Sequence, residues 1–390
     1  MKNRILITCP KGIAPILGEE IRALGLPVNA EIAAGVETIG SMLDCMKLNL
    51  HIRTGHRVLF FIKEFSASTP QNFYQGIKRI RWEDLIPETE YVSVSSSVDN
   101  PCIQNTQFAN QKCKDAIMDR MRESCGRRPD SGPDKTGVAV FVYWKGSNCR
   151  VYLDTSGEPL ARRGYRKIPF KAPMQETLAA AVILSTGWRG KGNFLNPMCG
   201  SGTLGIEAAL IGLDKAPGLL RTNFAFMHLR DFRRAEWNAL RQEARRKSKK
   251  GFEGKMILTD LDPKAVRAAQ QNALTAGVDH LMTFGVCDYL ETPVPADGGI
   301  IVINPEYGER LGVVKELETV YEGMGNFFKR RCNGYTGYIF TGNPDLAKKV
   351  GLKTSRRLIF FSSRIECRLL EYKLYEGSRK VSQNQNKDDQ

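Results

Sequence analysis

The chain has 390 residues, more than a single hydrophobic core usually organises, and 42% of them are hydrophobic, enough for two or three cores. Lys and Arg number 57 against 42 Asp and Glu, a formal net charge of +15; a polyanionic partner is expected, although charge alone does not separate RNA from DNA or acidic lipid. No apolar run reaches the roughly 18 residues of a membrane span, Thr8, Pro10 and Lys11 interrupt any secretory leader, and ten cysteines without a CxxC pair or zinc spacing fit reduced thiols in a cytoplasmic protein.

Ile5-Leu6-Ile7 reads as a strand, followed by a Gly-Ile-Ala-Pro turn, a helix carrying Ile16, Leu17, Ile21 and Leu24, and a short strand region, together a small α+β unit. Arg57 to Ile62 begins another unit. Phe108, Cys113, Ile117 and Met121 have helical spacing, and Val138 to Tyr143 pairs with Arg150 to Leu153 as a hairpin across Lys145-Gly146-Ser147-Asn148. Arg127 and Arg128 are candidate phosphate contacts. The basic and aromatic stretch Arg162-Arg163-Gly164-Tyr165-Arg166-Lys167, with Lys171 beyond it, reads either as a solvated linker or as a grip on phosphates.

A short apolar strand then leads into Asn196-Pro197-Met198-Cys199-Gly200-Ser201-Gly202-Thr203, and a helix follows from Leu204. Gly200 and Gly202 let the backbone approach a ligand, and the helix start presents free N–H groups. Such a turn is either a tight connection or the seat of a nucleotide-like cofactor, without the dinucleotide fingerprint or a Walker Lys-Ser/Thr. Cys199 reads as a small packing residue rather than a nucleophile. The dense basic run Arg241 to Lys250, on a helix between the first and second sheet strands, is a solvated face or an RNA contact.

Met256 to Thr259 forms a second strand ending in Asp260, where an acid can accept from ribose hydroxyls; Asp262 before Pro263 is the N-cap of the next helix. Thr283 to Val286 leads to Cys287-Asp288, whose carboxylate either takes an adenine amino group or is a solvated loop acid. The fourth strand, Gly299 to Ile303, runs into Asn304-Pro305-Glu306-Tyr307-Gly308. Ligands of open parallel sheets bind at the carboxyl ends of strands, so positions 196, 260, 288 and 304 should converge on one crevice of an α/β domain. A helix over Leu317 to Arg331 and strands at Gly337 to Phe340, Leu358 to Phe361 and Cys367 to Tyr372 complete seven strands with a final hairpin, and the polar stretch Val381 to Gln390 is expected to be disordered.

The residue types of the last motif suit an exocyclic amine. Its lone pair is delocalised into the nucleobase, so an enzyme helps by holding both amine hydrogens on acceptors, here Asn304 Oδ1 and the Pro305 carbonyl, while preorganised dipoles face the charge developing on nitrogen. Tyr307 offers a face on which an extruded base can stack. The reading is an amino-group methyltransferase.

At this point the chain resembles the THUMP-containing bacterial 23S rRNA guanine-N2 methyltransferases. The resemblance rests on Gly164-Tyr165-Arg166, Ala172-Pro173-Met174, Glu176 to Ala180, Cys199 to Thr203 and Asn304 to Leu311, and upstream on Thr106-Gln107-Phe108, Lys114 to Ile117 and Tyr152 to Glu158. It implies a class I methyltransferase fold (Rossmann-like, seven-stranded sheet) after an α+β ferredoxin-like and THUMP region, with S-adenosylmethionine as cofactor, large-subunit RNA as partner and no metal. The implied domains are 1–50 (ferredoxin-like), 51–160 (THUMP), 161–378 (methyltransferase) and a tail over 379–390. No second methyltransferase domain and no bifunctional role are expected.

Two departures stand out. The family usually has Asp at the position of Asn196, so a charge that could meet the methionine ammonium is lost and weaker cofactor binding is expected. It usually has a second Pro where Glu306 stands; that carboxylate either accepts the guanine N1–H, which favours guanine over adenine, or pairs on the surface with Arg310. Adenine-N6 methylation of DNA or RNA and a non-catalytic RNA-binding or assembly role are the rival readings, and cofactor binding separates the second of these from either enzyme.

Overall fold

In the computed structural model the described residues are 2–101, 103, 105–170, 173–307 and 311–375, by backbone alone over 311–314. Two compact units divide the chain, Met1–Gly164 with Lys215–Ser248, and Tyr165–Asp214 with Lys249–Gln390.

The first unit opens with β1 (Asn3–Thr8), α1 (Ala14–Ala23), β2 (Ala30–Ile32), β3 (Gly35–Gly40) and α2 (Met42–His51). A capping box starts α2: Asp44 N donates to Ser41 Oγ at 3.3 Å and Ser41 N to Asp44 Oδ2 at 2.7 Å. β4 (Arg57–Ser66), α3 (Pro70–Lys78), β5 (Val92–Asp99), α4 (Thr106–Cys125), β6 (Val138–Lys145) and β7 (Asn148–Asp154) follow. They form one seven-stranded sheet in the order β2-β3-β1-β4-β7-β6-β5. Because β4 pairs antiparallel with both β1 and β7, backbone hydrogen bonding runs unbroken past residue 50, where a boundary was expected. The expected hairpin is β6–β7, turning at Gly146 with φ +54°. The face of α4 differs by one residue from its expectation: Ala109 is buried while Phe108 is 43% exposed, with the Lys112 ammonium near its ring.

In the second unit α5 (Glu176–Thr186), β8 (Asn193–Pro197) and α6 (Thr203–Gly212) come first. The chain then leaves for the first unit over Lys215–Ser248, which includes α7 (Arg234–Lys247), so this stretch of the expected methyltransferase domain packs elsewhere. Within the stretch Trp237 of α7 is buried with ring centroids 5.4 Å from Phe224 and 5.0 Å from Phe226, and what ties it to the first unit is Phe226 N donating to Thr155 O at 3.1 Å and Arg221 donating to Ser156 O at 3.1 Å and Glu158 O at 3.0 Å. The helix ends before Ser248-Lys249-Lys250, so the basic run is only partly helical.

β9 (Met256–Asp260), α8 (Pro263–Ala276), β10 (Met282–Val286), β11 (Gly299–Ile303), α9 (Leu311–Arg331), β12 (Tyr335–Thr341), α10 (Pro344–Lys349), β13 (Arg356–Ser362) and β14 (Ile365–Lys373) complete it. The sheet order is β10-β9-β8-β11-β12-β14-β13. Pairing is parallel from β10 to β12, and β14 is antiparallel to both neighbours, which is the expected terminal hairpin. Leu195, Ile301, Ile303, Tyr321, Phe327 and Phe328 pack one face of the sheet against α9. The tail over 379–390 lies outside the described residues.

Candidate active site

β10, β9, β8 and β11 are consecutive parallel neighbours, so Asp288, Asp260, Asn196 and Asn304 follow strands whose carboxyl ends share one edge, spread over about 14 Å at the usual strand spacing. The four positions therefore lie along one edge of the sheet.

At the centre is the glycine turn. Met198 (φ +57°), Gly200 (φ +56°) and Gly202 (φ +81°) lie in the left-handed region, and Gly202 is the N-cap of α6. A Cβ on Gly202 would come within 2.9 Å of Ala269 Cβ on α8, whereas one on Gly200 would meet nothing within 4 Å. The first glycine is thus favoured by φ and faces open space, while the second also permits helix packing. Cys199 N donates to Thr259 O at 2.9 Å and Gly200 N to Asp260 Oδ2 at 2.8 Å, which ties the turn to β9. Pro197, Cys199, Ser201 and Thr203 are buried, and burial pushes the Cys199 thiol well above its usual range, which suits packing.

Asp260 is half-buried and also accepts from Asp262 N at 3.0 Å through Oδ1. A carboxylate has about four lone-pair positions, so acceptor capacity remains beyond this bracing. Asp262 caps α8 by accepting from Lys264 N at 2.8 Å, with Pro263 in the first turn, as expected. Asp288 accepts from Leu290 N at 2.9 Å and starts the turn Tyr289–Glu291, a local structural task compatible with either expectation for it.

Asn196 is fully buried. Its Nδ2 donates to Val302 O at 2.8 Å, continuing the junction of β8 and β11 past the last ladder pair, Ile301 with Leu195. Among the described residues Asn196 Oδ1 and Asn304 Oδ1 are both buried and find no hydrogen-bond partner. An unpaired buried acceptor costs about 1–3 kcal/mol, and each of these two, on adjacent strand ends, is able to accept from a ligand donor. Pro305 is buried and Glu306 exposed. The Tyr321 hydroxyl holds the loop by donating to Glu306 O at 3.4 Å and sharing a 2.8 Å bond with Thr341 Oγ1. Tyr307 is half-buried, its ring edge 3.1 Å from where a Cβ on Gly342 would stand. Gly308, Glu309 and Arg310, and with them the expected Glu306–Arg310 pair, lie outside the described residues.

Two arginines expected to grip phosphate are corrected. Arg163 is 2% exposed and donates to the carbonyls of Leu160 (2.9 Å) and Arg53. Arg166 spends all three guanidinium nitrogens inside the second unit, on Glu176 Oε1 (3.0 Å), Ser201 Oγ (3.2 Å) and Met174 O (2.8 Å). Arg127, Arg128, Arg162 and Lys167 are exposed; Arg128 lies 3.9 Å from Asp115 and Arg162 2.7 Å from Glu158. Lys171 and Ala172 lie outside the described residues.

One residue not anticipated, Asn272, braces the turn from behind. Asn272 Nδ2 donates to Ser201 O at 3.2 Å and to Ile168 O at 3.0 Å, and its Oδ1 accepts from Lys167 N at 2.9 Å. One signal was present, a polar residue beside Ala269 and Ala273 on the apolar stripe of α8.

The RlmL ferredoxin-like domain matches residues 4–59, the THUMP domain 67–154, and the UPF0020 family (RMKL-like, methyltransferase domain) 163–371. A ribosomal RNA large subunit methyltransferase K/L of Syntrophotalea carbinolica is 37% identical over 384 residues, 96% of this chain and 54% of that protein. The chain spans about half the length of the curated relatives it matches. The structure of SMU.472 complexed with SAH superposes with a TM-score of 0.86 at 27% identity, covering 97% of this chain and 99% of that one. A predicted N6-adenine-specific DNA methylase from Listeria monocytogenes superposes at 0.85 and 28% identity, covering 95% and 96%. With the family matching more than half of its length over the sheet that carries the glycine turn and the Asn-Pro loop, the chain belongs to the UPF0020 family of RMKL-like methyltransferase domains.

Proposed function

We propose that this chain transfers a methyl group from S-adenosylmethionine to the exocyclic N2 amine of a guanine in 23S rRNA. The observation that carries the reading is the pair of buried, unpartnered acceptors, Asn196 Oδ1 and Asn304 Oδ1, on adjacent strand ends beside the glycine turn.

The residues fit the cofactor. Gly200 faces open space where any side chain would intrude, the first turn of α6 offers unpaired N–H groups, Asp260 keeps acceptor capacity for ribose hydroxyls, and Asn196 Oδ1 can accept from an ammonium. When bound, S-adenosylmethionine supplies a sulfonium-activated methyl. Asn304 Oδ1 and the Pro305 carbonyl hold the hydrogens of the acceptor amine, and no strong general base is required because charge on nitrogen is met by fixed dipoles. Glu306, exposed beside them, can accept a guanine N1–H, where adenine presents an acceptor instead. Support for an RNA substrate comes from the THUMP match in the first unit, the +15 net charge and the names of the curated relatives.

The test is nucleoside mass spectrometry after incubating the protein and labelled S-adenosylmethionine with ribosomal RNA from cells lacking this gene and, separately, with unmethylated DNA. Labelled N2-methylguanosine in 23S rRNA is the expected result. Label in adenine alone would install an N6-adenine activity like that in the name of the Listeria protein, and no label in either with no cofactor binding would leave an RNA-binding role.

A further inference from the structure

A cavity of about 590 Å³ lies between β12, α10, β13 and β14. Gly342 after β12, Ala347 and Lys348 of α10, Arg357 of β13, and Ile365 and Arg368 of β14 are among its walls. Its volume is in the range of small-molecule sites, about 300–1,000 Å³. Its Gly342 wall is backed by the Asn-Pro loop through Tyr307, whose ring edge packs against that glycine. Asn343 joins the wall to the loop: its Oδ1 accepts from Asp345 N (3.0 Å) and Leu346 N (3.1 Å) at the start of α10, while its Nδ2 lies 3.5 Å from Tyr307 O.

The lining is mainly apolar and cationic, with Glu366 and the hydroxyls of Thr341 and Thr354 beside these groups. Ala347 and Ile365 are apolar, and Lys348, Arg357 and Arg368 are cationic. Each cation is anchored at one edge, Lys348 on Asp345 (2.8 Å), Arg357 through Nε on Thr354 Oγ1 (2.9 Å) and Arg368 on Glu366 (3.1 Å). A guanidinium carries five donors, so both arginines keep donors for a further acceptor while their positions are held. Apolar walls and an excess of cations over Glu366 suit a nucleotide, with a base to cover and a phosphate to pair.

The geometry points to a second nucleotide subsite, which takes the RNA nucleotide directly flanking the one presented to Asn304. This rests on the RNA-methylation reading. A polynucleotide that offers one base to Asn304 has its neighbour covalently attached, and the cavity is joined to the same loop where Gly342 packs on Tyr307 and Asn343 Nδ2 reaches Tyr307 O.

The experiment uses the full chain, SAH and 23S rRNA, cross-linked by ultraviolet light with the joined peptides and nucleotides mapped by mass spectrometry; the methylated guanine is located in parallel with S-adenosylmethionine. Cross-links at Lys348 or Ile365 to Arg368 are expected to fall on the nucleotide immediately before or after that guanine. The double variant Arg357→Ala, Arg368→Ala should raise KM for RNA about three- to tenfold, with kcat and SAH affinity within about twofold, and lysine at both positions should recover part of the loss. Methylation without cross-links in the cavity, or with unchanged KM, overturns the subsite and leaves the methyltransfer standing. A change confined to SAH affinity overturns it too, by making the cavity part of the cofactor's seat. If no RNA is methylated at all, both the function and the subsite fall.

Discussion

Asn304 and Asn196 present the same group, a buried amide oxygen without a donor, yet their removal should read differently. Asn304→Ala removes an acceptor that the proposed reaction needs at the amine, so kcat should fall by about 10²–10³-fold while SAH affinity changes little. A fall in SAH affinity equal to the loss of rate would move Asn304 from the acceptor amine to the cofactor. At position 196 the amide is used on both sides: Nδ2 bridges to Val302 O and Oδ1 awaits a donor. Asn196→Asp restores the charge usual in the family but replaces a donor with an acceptor facing a carbonyl. The ligand-free protein should be destabilised by about 1–3 kcal/mol, seen as a lower Tm, while S-adenosylmethionine binds several-fold more tightly by calorimetry. A higher Tm without cofactor would show that the bridge to Val302 contributes nothing.

Among elements, the strap ahead of α5 illustrates what sequence pattern conveys and what it hides. β9 and β11 were readable because apolar runs end abruptly in Asp260 and Asn304, and the cap at Asp262 because Pro263 follows it. The fate of Arg166 was not readable, since a basic residue in a basic stretch looks the same whether it meets solvent or three acceptors brought in by folding. Arg166→Ala would leave Glu176, 8% exposed, without its cation and free Ser201 in the glycine turn. A cost of up to about 3 kcal/mol is expected, together with weaker cofactor binding that Arg166→Lys only partly recovers. Unchanged cofactor binding with weakened RNA binding would restore the phosphate-gripping role. In the first unit, Glu64 of β4 joins three strands by accepting from Asn148 (2.7 Å), Arg4 (3.1 Å) and Arg150 (3.1 Å). The Asn148 hydrogen bond first, then Arg4 and Arg150, hold its carboxyl down at about 2, against about 4.3 in an unfolded chain. A depressed folded pKa gives stability that is present above about 4.3 and is lost as pH falls through about 2. The Tm advantage of the natural chain over Glu64→Gln at pH 7 should therefore shrink across that window; an advantage constant down to pH 2.5 would mean that the charge is not its source.

For the whole molecule, the excess of 15 positive charges signalled a polyanion from composition alone, but which cations serve it depends on burial that composition does not encode. Arg163 is enclosed by carbonyls, Arg166 is committed to the glycine turn, and α7 turns Trp237 inward while its arginines stay near the surface. Arg127, Arg128, Arg162 and Lys167 remain exposed. Affinity for single-stranded RNA should thus fall steeply with salt, since each phosphate neutralised contributes about −0.7 to the slope of log K against log salt, and a slope near −3 would correspond to about four contacts. Arg127→Ala with Arg128→Ala should flatten that slope by about one unit or more, whereas Arg163→Ala should leave it unchanged and lower Tm. SAH affinity should hardly respond to salt in any of these proteins, because the polar groups at its proposed seat are fixed and partly buried. A salt-independent RNA affinity, or a flattened slope in Arg163→Ala, would mean that RNA is held through other groups than the exposed cations and that the net charge serves another purpose.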